Sequence, residues 1–415
     1  MEYKTLGSLV DRKIGYGIVQ PGQNILHGVP VIKVNNLIAG LHSKGELDVT
    51  TKENDEKYSR TRLEGGELIV SVVGTVGKTA IVPKSFRGCN LVRAVAMIDI
   101  KENWLSRWVK YYIDSPAGQA YIEQNLNTTV QATLNIKTLV DMPIPFLKED
   151  EMRKIVTILE AIDKKIECNQ QINDNLAQQL RLLYDYWFTQ FDFPDESGNP
   201  YRSSGGQMVW NNGLKRKIPE SWCVVPLGEV SSFRNGINYD KNTTGDTTYH
   251  IVNVRNISSS SILLDERELD EICLPCTQAE KYLVSNESIL IARSGIPGAP
   301  RILYNPSKDI IFCGFIICAT PIDSILQHYL MLFLKQLEGS TATQTGGSIL
   351  KNVSQDTLRD LLVPIPSKDI LTQFNQRVAL IYEFMHNNLE ETSKLQHLRD
   401  WLLPMLMNGQ ATISD

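Results

Sequence analysis

Four separate signatures of this 415-residue chain recur at one fixed offset of 221 residues. Leu6-Gly7 returns as Leu227-Gly228, Leu68-Ile-Val70 as Ile289-Leu-Ile291, Gly74-x-x-Gly77 as Gly295-x-x-Gly298, and Pro143-Ile-Pro145 as Pro364-Ile-Pro366. Between them Val31–Leu37 resembles Ile251–Ile257 at 220, so a loop has gained or lost one residue. A long internal duplication of this kind restricts the fold to two copies of one unit. Each copy opens with about 145 residues of short β-branched runs broken by Gly, Pro, Asn and Ser, such as Glu67–Val73 and Ser288–Ala292. Helical patches at Trp104–Tyr112 and Leu326–Leu337 are interspersed.

After Pro145 and Pro366 the period changes. Ile155, Leu159, Ile162, Ile166, Asn169, Asn173, Leu176, Leu180, Leu183 and Trp187 follow the alternating spacing of a coiled-coil seam. In the second copy Phe374, Val378, Ile381, Met385 and Leu389 form one set. Leu395, Leu398, Leu402 and Met405 form another, with a break in phase like a stutter. Two helices of about 40 residues would each run ~60 Å and have an obvious partner in each other. The expected fold class is therefore α+β: two homologous mixed α/β domains, separated by two long antiparallel coiled-coil helices, with an internal pseudo-two-fold repeat. The expected boundaries are 1–146, a long helix over 147–191, a polar linker over 192–219, a second domain over 220–366 and a C-terminal long helix over 367–415.

Composition narrows the function. The longest strongly apolar run, Ile310–Ile322, is interrupted by Gly314 and Pro321 and is too short to span a bilayer. No basic segment followed by an apolar one opens the chain, and the seven cysteines are too scattered for a disulfide framework. A cytoplasmic protein without a membrane partner is expected. The net charge of −5 argues against a generic polyanion binder. The average conceals an asymmetry: residues 1–146 carry 17 basic and 14 acidic side chains, residues 220–366 carry 11 and 16.

Catalytic motifs fail inspection. Gly74-Thr-Val-Gly77-Lys78-Thr79 resembles the end of a P-loop, but Val72 stands where the first glycine is required, and the second copy has no lysine. Cys273-Leu-Pro-Cys276 has the spacing of half a zinc site without a second pair, so no metal is expected. Asn199-Pro-Tyr201 resembles the Asn-Pro-Pro-Tyr turn of amino-methyltransferases but lacks its second proline. No catalytic residue is assigned.

Polar side chains gathered near the glycine turns remain. Arg60, Arg62, Lys78, Lys84, Arg87 and Arg93 surround the first, which carries Ser71, Thr75 and Gly77; Arg293, Ser294 and Arg301 flank the second, with Arg234 upstream. Lys33, Asn35 and Asn36 in one copy answer to Asn253, Arg255 and Asn256 in the other. Arginine can grip guanine bidentately and Asn adenine, so these residues are candidates for reading DNA base edges.

Leu63-x-x-Gly66-Glu-Leu-Ile-Val-Ser-x-x-Gly74-Thr-Val-Gly77-Lys78, Ile289-Leu-Ile-Ala-Arg-Ser-Gly295, the two Pro-Ile-Pro junctions, Leu183-Tyr-Asp-Tyr-Trp-Phe188 and Ile218-Pro-Glu-Ser-Trp222 together resemble the specificity subunit of a type I restriction-modification enzyme. The resemblance covers essentially the whole chain. It implies two target recognition domains reading the halves of an asymmetric bipartite DNA site, and helices that set the spacer and dock two methyltransferase subunits. It also implies restriction/translocase partners, with S-adenosylmethionine, ATP and Mg in the partner subunits and no cofactor in this chain. A non-catalytic coiled-coil interaction scaffold is the alternative.

Overall fold

In a computed structural model, residues 2–127, 131–239, 245–338 and 353–411 are described. The chain divides into two compact units, Met1–Lys165 with Lys394–Asp415, and Ile166–Ser393.

The first unit is built in layers. A four-stranded antiparallel sheet has the order β2 (Arg12–Tyr16), β8 (Val95–Asp99), β5 (Leu68–Ser71), β6 (Thr79–Ile81). A three-stranded sheet places β3 (Val29–Ile32) between antiparallel β4 (Asp48–Thr50) and parallel β7 (Asn90–Leu91). The terminal pair β1 (Glu2–Thr5) and β9 (Pro143–Phe146) closes the unit.

Strand alternation determines which layer each face meets. Leu68 and Val70 with Ala96 and Ile98 lie in one core cluster with Trp108, Val109 and Tyr112 of the helix Asn103–Asp114. Ile69, Val95 and Met97 turn to the other face and pack with Val31, Ile32 and Leu91 of the smaller sheet. A strand covered on both sides reads as a continuous apolar run, which is why Leu-Ile-Val stands at β5 and Ile-Leu-Ile at its repeat.

The second unit repeats this plan strand for strand. Ser231–Asn235, Ile316–Pro321, Ile289–Ala292 and Pro300–Arg301 form its four-stranded sheet; Asp270–Leu274, Thr247–Val252 and Ile310–Phe312 its three-stranded sheet; Cys223–Pro226 pairs with Leu362–Ile365. The helix Gln327–Leu337 answers to Asn103–Asp114. The linker contributes a hairpin of its own, Met208–Asn211 against Arg216–Pro219.

The long helices are Glu149–Tyr184, extended by a π-helical turn over Asp185–Thr189, and Lys368–Met407. Glu149, Asp150 and Glu151 in the first turn complement the positive end of the helix dipole. In the first unit Ile155 and Leu159 are buried with Leu403, Leu406 and Met407. In the second, Leu180, Phe374, Val378 and Met385 are buried, with Leu176, Leu183 and Ile381 half-buried against them. Asn173 donates to the Met385 carbonyl at 3.1 Å and accepts from Asn388 at 2.9 Å, while Asn169, one turn earlier, meets the later Glu391, so this stretch is antiparallel. Asn169, 1% exposed, donates to Glu391 at 2.9 Å. Such polar residues in a seam cost stability and set register.

The C-terminal seam differs from the expected one. Leu398 is 43% exposed, and Leu395 and Leu402 are only half-buried. The expected phase break disappears: a line of buried and half-buried residues continues from Leu389 through Thr392, Gln396 and Arg399 to the buried Leu403 and Leu406 at unbroken three-four spacing. Polar side chains occupy its middle, so the apolar pattern drifted onto a neighbouring face.

The aromatic motif near the end of the first long helix anchors it. Phe188 lies edge-on to Tyr329 at 4.8 Å and to Phe374 at 4.7 Å, and 6.0 Å from Trp222. Leu183–Phe188 and Ile218–Trp222 thus belong to one core. Among the described residues no helix is long and apolar enough to cross a membrane.

Candidate nucleic-acid interface

In each unit, both sheets end at a common rim of loops held by main-chain hydrogen bonds. In the first unit Val92 N–H donates to Ile32 O at 3.2 Å, Arg93 to Ile18 O at 2.8 Å, Val72 to Ala94 O at 2.8 Å, and Leu134 to Val72 O at 2.9 Å. In the second, Cys313 donates to Val252 O at 3.0 Å, Gly314 to Ile237 O at 2.8 Å, Arg293 to Phe315 O at 2.9 Å, and Val353 to Arg293 O at 3.2 Å. The scaffold repeats bond for bond.

The glycine turns belong to this rim. Gly74 and Gly77 hold φ of 80° and 85°, Gly295 and Gly298 of 78° and 84°, a left-handed backbone that side chains resist. Ser71, fully buried, locks the first turn: its hydroxyl donates to Thr75 O at 2.6 Å and accepts from Lys78 N–H at 2.9 Å. Thr75 and Lys78 are exposed on it, while the residue matching Lys78 in the repeat is the buried Ala299.

The short helices after Ile32 and Val252 are capped alike. The Asn36 side chain accepts from Lys33 N–H at 2.8 Å, and Asn256 from Asn253 N–H at 2.9 Å. Asn256 is buried and also donates to Glu268 O at 3.0 Å. Both asparagines therefore hold helix starts, leaving Asn35 as the exposed amide of its segment.

The cations separate into two groups. Lys78 and Arg93 are exposed at the first rim and have no side-chain partner among the described residues. Lys33 is paired with Asp48. Arg60 is exposed and unpartnered too, but it sits beside the start of β7, where Thr61 donates to Asn90 at 2.8 Å. Arg62 is held by Asp55 and by Glu56 at 2.8 Å, which keep its guanidinium firmly charged.

In the second unit the candidate arginines are internally engaged. Arg255 pairs with Asp270, which also accepts from Asn253 at 2.9 Å. Arg293 donates to Gly314 O at 3.1 Å. Arg234 lies over the Phe312 ring at 5.4 Å, donating to Lys281 O at 2.7 Å and to Leu283 O. Arg301, 3% exposed, is away from the rim, donating to Ser260 O at 2.8 Å and to both Glu338 oxygens at 3.0 and 3.2 Å. Ser294 is half-buried on the glycine turn. The structure thus gathers Lys33–Asn36, Ser71–Lys78 and Arg93 at one rim, and Asn253–Asn256 with Arg293 and Ser294 at the other. It places Arg60, Arg62, Arg234 and Arg301 elsewhere. Among the described residues no cluster of three His, Cys, Asp or Glu could hold a metal ion.

The sequence reading missed Phe315. It is 63% exposed on the turn between Ile310–Phe312 and Ile316–Pro321, where the first unit has Ala94. The offset of the repeat was the signal that could have found it.

The two units are thus copies of one scaffold that carry different side chains at matching rims. The chain belongs to the type I restriction modification DNA specificity domain family, which matches residues 9–178 and 219–397. It is similar to the type I restriction enzyme MjaIX specificity subunit of Methanocaldococcus jannaschii, 22% identical over 376 residues, 90% of this chain and 84% of that protein. It is also similar to the HindI specificity subunit of Haemophilus influenzae, 23% identical over 340 residues, 69% of this chain and 72% of that protein. The S subunit of a type-I restriction-modification system from M. genitalium shares the fold at a TM-score of 0.54 and 16% identity, over 98% of this chain and 95% of that one.

Proposed function

We propose that this chain is the DNA-reading subunit of a type I restriction-modification complex. Each unit reads one half of an asymmetric bipartite site in double-stranded DNA. The antiparallel helices set the gap between the halves and dock two methyltransferase subunits, with restriction/translocase subunits joining them. The chain itself is non-catalytic. S-adenosylmethionine, ATP and Mg act in the partner subunits, in the cytoplasm.

The observation that carries this reading is the pairing of conserved bonding with divergent chemistry: the two rims share their main-chain hydrogen bonds, yet one exposes Lys78 and Arg93 where the other has Ala299 and Gly314. Identical readers would specify a symmetric site, whereas different side chains on one scaffold specify two different half-sites. Among the candidate cations gathered at the two rims only Lys78 and Arg93 are unpaired, so phosphate grip by the rims of this chain alone is weak, and the partner chains supply the remainder.

The test is methylation sequencing of DNA from cells expressing the chain with its neighbouring methyltransferase. A new bipartite motif, methylated on adenine in both halves, is expected. Complex formation without any modified motif would instead favour an interaction scaffold.

A further inference from the structure

The two rims differ by an exchange at three matched positions. In the first unit Val72, Arg93 and Ala94 stand where the second has Arg293, Gly314 and Phe315. The cation moves from the turn to the strand end, where Arg293 caps the Gly314 carbonyl at 3.1 Å, and an aromatic ring takes the outward place. A lone exposed phenylalanine requires no explanation by itself. This one is held differently. The Phe315 carbonyl accepts from Arg293 N–H at 2.9 Å, Gly314 N–H donates to Ile237 O at 2.8 Å, and Ile316 N–H closes the turn onto Cys313 O at 2.9 Å. The backbone on both sides is fixed, so the ring is presented at the rim at little further entropic cost.

We infer that Phe315 is a specificity-determining residue of the second unit, packing its ring against the 5-methyl group of a thymine in the second half-site. Phenylalanine carries no hydrogen bond and no charge; what it recognises on a base edge in the major groove is that methyl group. The two arginines at this rim are already engaged within the unit, Arg255 by Asp270 and Arg293 by the Gly314 carbonyl, while the Phe315 ring is free to meet a base. The inference rests on the reading of the rims as the DNA interface and adds which group the second rim selects.

The test uses the full chain in complex with its methyltransferase. The modified motif is first determined on a randomised duplex library with the wild-type complex. Duplexes then carry deoxyuridine in place of each thymine of the second half-site in turn, on either strand. One such replacement should slow methylation about fourfold, what burying one methyl group is worth. The Phe315→Ala complex should lose about tenfold on the thymine site, keep its first-half preference, and ignore that same replacement. Thermal unfolding of the variant chain should match wild type, because the ring is exposed. A second half-site without thymine on either strand overturns the inference. So does a Phe315→Ala complex whose preferences and deoxyuridine sensitivity equal the wild type's. A wild-type complex that produces no bipartite motif overturns the functional reading itself, and this inference with it.

Discussion

Arg399 donates to Asp163 at 3.1 Å within the seam of the first unit, and the hydroxyl of Tyr111 donates to the other oxygen of the same carboxylate at 2.8 Å. One acid thus joins the second long helix and the globular layer to the first helix. The arrangement keeps Arg399 charged although burial opposes it, while burial and Asp163 together hold the Tyr111 phenol neutral. Arg399 also pairs with Asp400 at 3.0 Å, so removing Asp163 leaves the guanidinium a partner but takes the acceptor from the Tyr111 hydroxyl.

Asp163→Ala is therefore expected to destabilise the chain by about 2 kcal/mol, the size of hydrogen bonds lost to a charged group. Adding Arg399→Leu, which puts an apolar residue into the seam, should recover much of that loss. A double-mutant cycle from urea unfolding measures the coupling, and additivity of the two changes would contradict the assignment.

Acid should loosen the second unit through His328. Its ring stacks on Tyr382 at 4.8 Å, its Nδ1 is buried without a partner among the described residues, and burial lowers its pKa from 6.5 to about 4. The unfolded chain then binds a proton that the folded chain refuses. The stabilisation is complete above pH 6.5 and is lost as pH falls towards 4, by up to about 3 kcal/mol. Unfolding free energies measured across this window should be flatter for His328→Phe than for wild type.

The paired and unpaired cations should separate in salt titrations. In the methyltransferase complex, Lys78→Ala and Arg93→Ala are each expected to lower the slope of log K against log salt by about one. Arg255→Ala, whose guanidinium is already neutralised by Asp270, should change it less. Arg301→Ala should instead appear as a loss of stability, since the buried guanidinium holds Ser260 O and both Glu338 oxygens and its loss leaves Glu338 with Lys335 alone.

Much of this architecture was legible in the sequence, and the rest was hidden for physical reasons. The 221-residue offset revealed the repeated unit because both copies bury the same strands, Leu68–Ser71 and Ile289–Ala292, on both faces. The first helix was legible because its seam is apolar almost throughout. The second lost its phase at Thr392, Gln396 and Arg399, of which Arg399 meets Asp163 across the seam, so that hydropathy no longer marks the face. At the rims, residue type alone could not separate Arg93, which is unpartnered, from Arg255 or Arg301, which meet Asp270 and Glu338 only in the fold. Asn36 and Asn256 looked like base readers because the amide that suits adenine also suits a helix start.

In the proposed function a pair of helices of fixed length holds the two readers apart. Four residues inserted at matched places in Glu149–Tyr184 and Lys368–Met407 would lengthen each by about 6 Å, between one and two base-pair steps. Sequencing of DNA modified by that variant complex should show both half-sites unchanged and the gap between them longer by one or two base pairs. A gap of unchanged length, with methylation retained, would show that the helices do not set the spacer.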